Sequence, residues 1–211
     1  MKKTVLFFGL LLGWSQVGLG ATAQPQGDAA AGKGLAVTCG ACHGADGNSA
    51  VPTFPKLAGQ GEKYLYKQMI DIRDGNRQVP TMAGQLDGKS DQEVADLAAW
   101  FASQPRGRGQ TDPQLQALGE QIYRTGIAER QIPACTACHS PTGTGNAPAG
   151  FPALSGQHAE YIAAQLQAYR KGYQDPTGRT NDGDTKLMRS VAFELSDLEI
   201  QSVASYAAGL Y

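Results

Sequence analysis

Two five-residue stretches carry the chemistry of this sequence. Cys39-Gly40-Ala41-Cys42-His43 and Cys135-Thr136-Ala137-Cys138-His139 use all four cysteines and two of the three histidines in the 211 residues. Two thiols three residues apart on a helical turn both reach the vinyl groups of one haem and form thioethers, and the adjacent His then lies under the iron as its proximal ligand. Three other uses of such thiols compete. A thioredoxin-type redox pair sits in a strand–helix context, and a zinc site needs four suitably spaced ligands. A disulfide inside Cys-x-x-Cys would be strained and would leave each His unexplained. Two copies, each with its His, favour two covalently bound haem c groups.

A closed, low-spin iron also needs an axial ligand from the opposite side. Besides Met1 the chain has Met69, Met82 and Met188. Met69 is in phase with Leu65 and Ile72 on a predicted helix, and its counterpart in the second half is Leu166, so it reads as core filler. Met82, in Val79-Pro80-Thr81-Met82, and Met188, in Thr185-Lys186-Leu187-Met188, each occupy a loop after a long helix and before a capping signature. They are the expected sixth ligands. His158 has Gly61 as its counterpart and reads as a solvated residue near a helix start. Met/His ligation favours ferrous iron and raises the potential. It also fills both axial positions, which points to electron transfer and away from catalysis. A proximal His usually donates its other ring N–H to a carbonyl; Pro52 and Pro148, each nine residues after their His, could supply it or could simply shape loops.

The elements that must hold these residues come from a duplicated unit. Phe54-Pro55-Lys56-Leu57-Ala58-Gly59-Gln60 recurs as Phe151-Pro152-Ala153-Leu154-Ser155-Gly156-Gln157, 97 positions later, and the same step carries Tyr64 onto Tyr161, Gln68 onto Gln165 and Arg73 onto Arg170. Further on the step is 106, so the second half gains nine residues after Gly172. Apolar spacing predicts helices over Glu62–Asp74 and Tyr161–Lys171, stopped by Gly75 and Gly172. Ser90 with Glu93 and Ser196 with Glu199 are capping boxes that open closing helices through Phe101 and Tyr206. First helices are expected over Asp28–Thr38 and Asp112–Thr125. No stretch alternates as a strand does. The expected organisation is all-α, with domains over residues 24–104 and 112–211 and a polar, Gly-rich linker over 105–111.

Residues 1–23 read as an export leader. Lys2 and Lys3 precede an apolar run over Val5–Leu12, and Ala21-Thr22-Ala23 fits a cleavage site that ends at Ala23. The run is shorter than the roughly 20 residues of a membrane span. Localisation in the periplasm is therefore expected. Without the leader, 16 basic residues face 19 acidic ones, a balance that argues against nucleic acid as a partner.

The two Cys-x-x-Cys-His sites, the repeated Phe-Pro-x-Leu-x-Gly-Gln segment, the two methionine loops and the closing helices resemble the dihaem cytochromes c4 over nearly the whole mature chain. The resemblance implies two tandem class I cytochrome c-like domains related by a pseudo-twofold axis, with the haem propionates near their interface. It further implies electron delivery from a bc1-type donor to a terminal oxidase acceptor in respiration, often beside the membrane. The cytochrome subunit of a flavocytochrome c sulfide dehydrogenase, with a flavoprotein partner, has a similar build. A dihaem peroxidase would call for an open or bis-His haem, and no repeated distal His exists.

Overall fold

The computed structural model describes residues 24–211; the leader read over residues 1–23, with its cleavage at Ala23, lies outside the described residues. The described residues form helices and turns, and their only ladder pairing is in two isolated bridges, Ile127 with Ile132 and Asn146 with Phe151.

In the first half, α1 (Ala29–Leu35) is capped by the Asp28 carboxylate, which accepts from the amides of Ala30 and Ala31. The helical turn α2 (Gly40–His43) is the first Cys-x-x-Cys-His motif. It is followed by α3 (Glu62–Arg73), by a 3-10 turn over Pro80–Met82, and by α4 (Asp91–Ser103). The second half repeats the order: α5 (Gln116–Thr125), the motif turn α6 (Thr136–His139), α7 (Ala159–Gly172), α8 (Leu187–Phe193) and α9 (Asp197–Gly209). The first and last helices of each half cross at a glycine. A Cβ on Gly32 would lie 1.9 Å from the Asp96 carbonyl oxygen, and one on Gly119 would lie 2.2 Å from that of Ser202. Backbones this close leave no room for a side chain, so α1 seats on α4 and α5 on α9 in the same way. Leu65, Leu97 and Phe101 centre one core, and Ile122, Tyr123, Leu166 and Ile200 the other.

Both capping boxes form as expected. Glu199 also accepts from the Arg130 guanidinium, and this pairing, with the Ser196 hydroxyl and amide, lowers its pKa from 4.5 to about 2. The stabilisation is therefore full above pH ~4.5 and is lost as the pH falls towards 2. Glu199→Gln should flatten the fall in melting temperature across that window, which thermal unfolding at stepped acid pH would read.

The repeated Phe-Pro-x-Leu-x-Gly-Gln segments meet at the domain boundary. Gln60 donates to the Ala153 carbonyl (2.6 Å) and accepts from the Ala153 amide (3.0 Å). Gln157 does the same with Lys56, at 2.8 and 2.9 Å. Since Lys56 and Ala153 are themselves counterparts, the two clasps are related as a pseudo-twofold axis requires. The Gly-rich stretch after α4 is tied to both halves: Arg106 donates to the Ser155 hydroxyl (2.9 Å) and to the Gly59 carbonyl, and the Gly107 amide donates to Asn48 Oδ1 (2.8 Å).

Three expectations need correction. His158 does stand at a helix start, as the N-cap of α7, but it is half-buried rather than freely solvated, its Nε2 lying 2.9 Å from the Ser49 carbonyl oxygen of the other half. Met188 is not on a loop but in the first turn of α8, the short helix that follows the stretch in which the second half gains residues. The helix expected from Asp112 starts at Gln116, because the Asp112 carboxylate instead accepts the Gln114 amide in a turn of its own.

Candidate functional site

Both Cys-x-x-Cys-His turns open on one continuous cavity of about 1300 Å³, which extends across the domain boundary. One small-molecule pocket is roughly 300–1,000 Å³, so the space suits two sizeable groups side by side. Leu65, Ile72 and Phe101 line one end, and Ile162, Leu166 and Val203 the other.

Cys39, Cys42, Cys135 and Cys138 are free thiols that line this cavity. Burial raises the pKa of Cys39, and that of Cys135 to about 11. Redox-active Cys-x-x-Cys pairs have a lowered thiol pKa instead, so these thiols are not arranged for disulfide exchange. Among the described residues no cluster of three or more His, Cys, Asp or Glu is placed to hold a metal ion, which leaves zinc without a ligand set.

His43 and His139 are buried at the cavity wall. In each, Nδ1 lies 2.9 Å from a carbonyl oxygen, of Pro55 for His43 and of Pro152 for His139. A carbonyl only accepts, so Nδ1 carries the proton and Nε2 keeps its lone pair. Burial lowers the pKa of both rings, holding them in the neutral form that binds iron. The acceptors are therefore not Pro52 and Pro148. The chain turns once more before returning to the imidazole, and the rings of Phe54 and Phe151 pack at 6.3 and 6.2 Å from it. The residue after each Phe thereby presents its carbonyl. Pro52 is exposed at the cavity rim, and the Pro148 carbonyl accepts from Lys63 Nζ (3.2 Å). Recurrence of Phe-Pro in both repeats was the signal that would have picked out Pro55 and Pro152.

Met82 and Met188 line the cavity as well. Met69 touches it too but packs against the first core, where the second half has Leu166. The hold on Met82 and Met188 differs. Asp182 binds both the backbone amide (2.9 Å) and Nε (2.6 Å) of Arg189, directly after Met188. Met82 depends on its own turn, its amide donating to the Val79 carbonyl at 2.8 Å.

At the domain boundary the cavity wall carries two arginines. Arg179 donates to Gln165 and Gln68, both at 2.7 Å, and Arg77 donates to the same two residues at 2.9 and 3.0 Å and to the Tyr161 hydroxyl at 3.0 Å. Burial alone would raise the pKa of Tyr64, but the charges of Arg179 and Arg77 outweigh it and bring it below its ordinary value. The middle of the cavity is thus electropositive. Thiols and imidazoles at its walls, apolar surfaces at both ends and positive charge at the centre fit two flat apolar macrocycles with acidic substituents. The arginines escaped notice in the sequence because their contacts join residues far apart in the chain.

Comparison with known proteins agrees with this arrangement. The cytochrome c family model matches residues 29–105 and 116–210. Cytochrome c4 of Pseudomonas aeruginosa is 56% identical over 195 residues, covering 92% of this chain and 94% of that protein. The crystal structure of reduced recombinant cytochrome c4 from Pseudomonas stutzeri superposes with a TM-score of 0.84 at 51% identity, covering 88% of this chain and all of the other. More distant is a thiosulfate dehydrogenase electron acceptor of Stutzerimonas stutzeri, 39% identical over 182 residues, 83% of this chain and 80% of that protein. Among the described residues no helix is long and apolar enough to cross a membrane. With two cytochrome c domains and hence two covalently bound haem c groups, the chain belongs to the cytochrome c family, among the dihaem cytochromes c4, which are electron carriers.

Proposed function

We propose that the chain is exported, loses residues 1–23, and carries single electrons in the periplasm from a bc1-type donor to a terminal oxidase. Residues 24–104 and 112–211 act as one-haem domains joined by 105–111. Cys39 and Cys42 would hold one haem through thioethers, with His43 and Met82 binding its iron; Cys135, Cys138, His139 and Met188 would hold the other. Bound in this way, haem supplies a one-electron ferric–ferrous couple. The protein's part is to close both axial positions, to keep each imidazole neutral and oriented, and to wrap the macrocycles in apolar side chains. Arg77 and Arg179 would offset acidic groups of the haems brought to the boundary, where an uncompensated charge is costly.

The observation that carries this reading is the single cavity into which each half brings a thiol pair, a pinned imidazole and a methionine outside its core, Met82 or Met188. The test uses purified holoprotein, reduced and mixed with oxidase-containing membranes. Rapid, cyanide-sensitive reoxidation is expected, followed by re-reduction when quinol and a bc1 complex are supplied. Inertness towards both would contradict the respiratory assignment. A second reading, a dedicated acceptor for a dehydrogenase of sulfur compounds, is favoured by the 39% identity to the thiosulfate dehydrogenase electron acceptor. Reduction by such an enzyme with thiosulfate, much faster than by bc1, would select it.

A further inference from the structure

Each interdomain clasp shares a peptide group with a proximal histidine. The Pro55 carbonyl that accepts from His43 Nδ1 and the Lys56 N–H that donates to Gln157 Oε1 are the two ends of one planar amide. In the other half the Pro152 carbonyl accepts from His139, and the Ala153 N–H of the same amide donates to Gln60 Oε1. Both glutamines are buried, and each is anchored by a second bond from its own amide nitrogen. The chain of groups therefore runs from a glutamine in one domain, through a single peptide, to the imidazole in the other.

We propose that Gln157 and Gln60 are positioning residues acting in trans: each sets the hydrogen bond on the proximal histidine of the opposite domain and so tunes that domain's haem. An amide whose N–H donates holds more negative charge on its oxygen, because consecutive hydrogen bonds polarise one another. The Pro55 oxygen then draws harder on the His43 Nδ1 proton, and Nε2 becomes a stronger donor. Stronger donation favours the ferric state and lowers the potential. Removing the glutamine relaxes the chain and raises the potential across the boundary, not within the glutamine's own domain. Docking of the two domains thereby enters the redox properties of both.

The inference rests on His43 and His139 as axial ligands. The test is an NMR redox titration of the 15N-histidine-labelled holoprotein, in which the histidines number three and His158 serves as an internal control. The variants are Gln157→Leu, Gln60→Leu and Gln157→Glu. In Gln157→Leu the His43 Nδ1–H signal should shift and its midpoint should rise, a change of about two- to fivefold in the ferrous-to-ferric ratio at fixed potential. That is the size expected when one bond in a chain loses ~10–30% of its strength. The His139 signal should stay in place, and Gln60→Leu should give the mirror result. Gln157→Glu keeps the Oε1 acceptor, so the His43 midpoint should stay at or below the wild-type value. This variant also carries the test if the leucine protein does not load haem.

In the leucine variants, movement of the histidine in the substituted domain, equal movement of both or no movement of either would overturn the proposal, as would a rise in Gln157→Glu. Failure of the ligand assignment looks different. It would leave the wild-type His43 and His139 signals without paramagnetic shifts, whereas failure of the relay leaves them shifted but unresponsive.

Discussion

Arg179→Leu is expected to lower the free energy of unfolding by about 1–3 kcal/mol, the usual cost of leaving a buried hydrogen-bonding group without its partner. Arg179 is only 8% exposed. It donates to Asn181 Oδ1 (2.9 Å), Gln165 and Gln68, and it lies over the Tyr169 ring at 4.4 Å from the centroid. Leucine replaces part of the volume and none of the donors, so buried amide oxygens from both domains lose a partner at once. The middle of the cavity also loses one of its two arginine charges. Arg179→Lys should recover only part of the loss, because an ammonium cannot span two glutamines as the planar fork does. Urea unfolding of the holoprotein checks this, and Arg77→Leu, at a less buried position, should cost less.

Asp182→Ala should loosen the second methionine and leave the first in place. The Asp182 and Arg189 side chains are 4% and 11% exposed, so deleting the carboxylate leaves a nearly buried guanidinium unpaired, at about 3–5 kcal/mol. The cost falls on the start of α8, where the same carboxylate also binds the Arg189 amide. On warming, half of the ferric Met–iron band should disappear well before helical circular dichroism is lost. In the unmodified protein the two signals should fall much closer together. Loss of the whole band in a single step would show that the clamp does not act locally on Met188.

Much of this was legible in the residue order because the chain states it twice. The motif turns, the long helices and the capping boxes are local patterns, and each recurs at a fixed step; their ends came out within a few residues. What was not legible depends on contacts between distant residues. Pro55 and Pro152, rather than Pro52 and Pro148, face the imidazoles because the Phe54 and Phe151 rings set how far the chain travels before it returns. Helix α8 follows the part of the second half with no counterpart in the first, and Asp182, from that part, organises its start through Arg189. His158 gave no repeat signal because its role, bonding Ser49 across the boundary, belongs to one half only. Gln60 and Gln157 were visible as repeated residues, but their reciprocal reach required the two domains to be docked.

The central claim is two closed haems, each with a His and a Met from its own domain. It is tested most directly by spectra of the purified holoprotein, oxidised and reduced, beside those of Met82→Ala and Met188→Ala. The account predicts two haems per chain, a ferric Met–iron band reduced by about half in each single variant and absent from the double one, and cyanide binding only at the site that has lost its methionine. An unchanged band in either single variant, or free access of cyanide to the unmodified ferric protein, would contradict it.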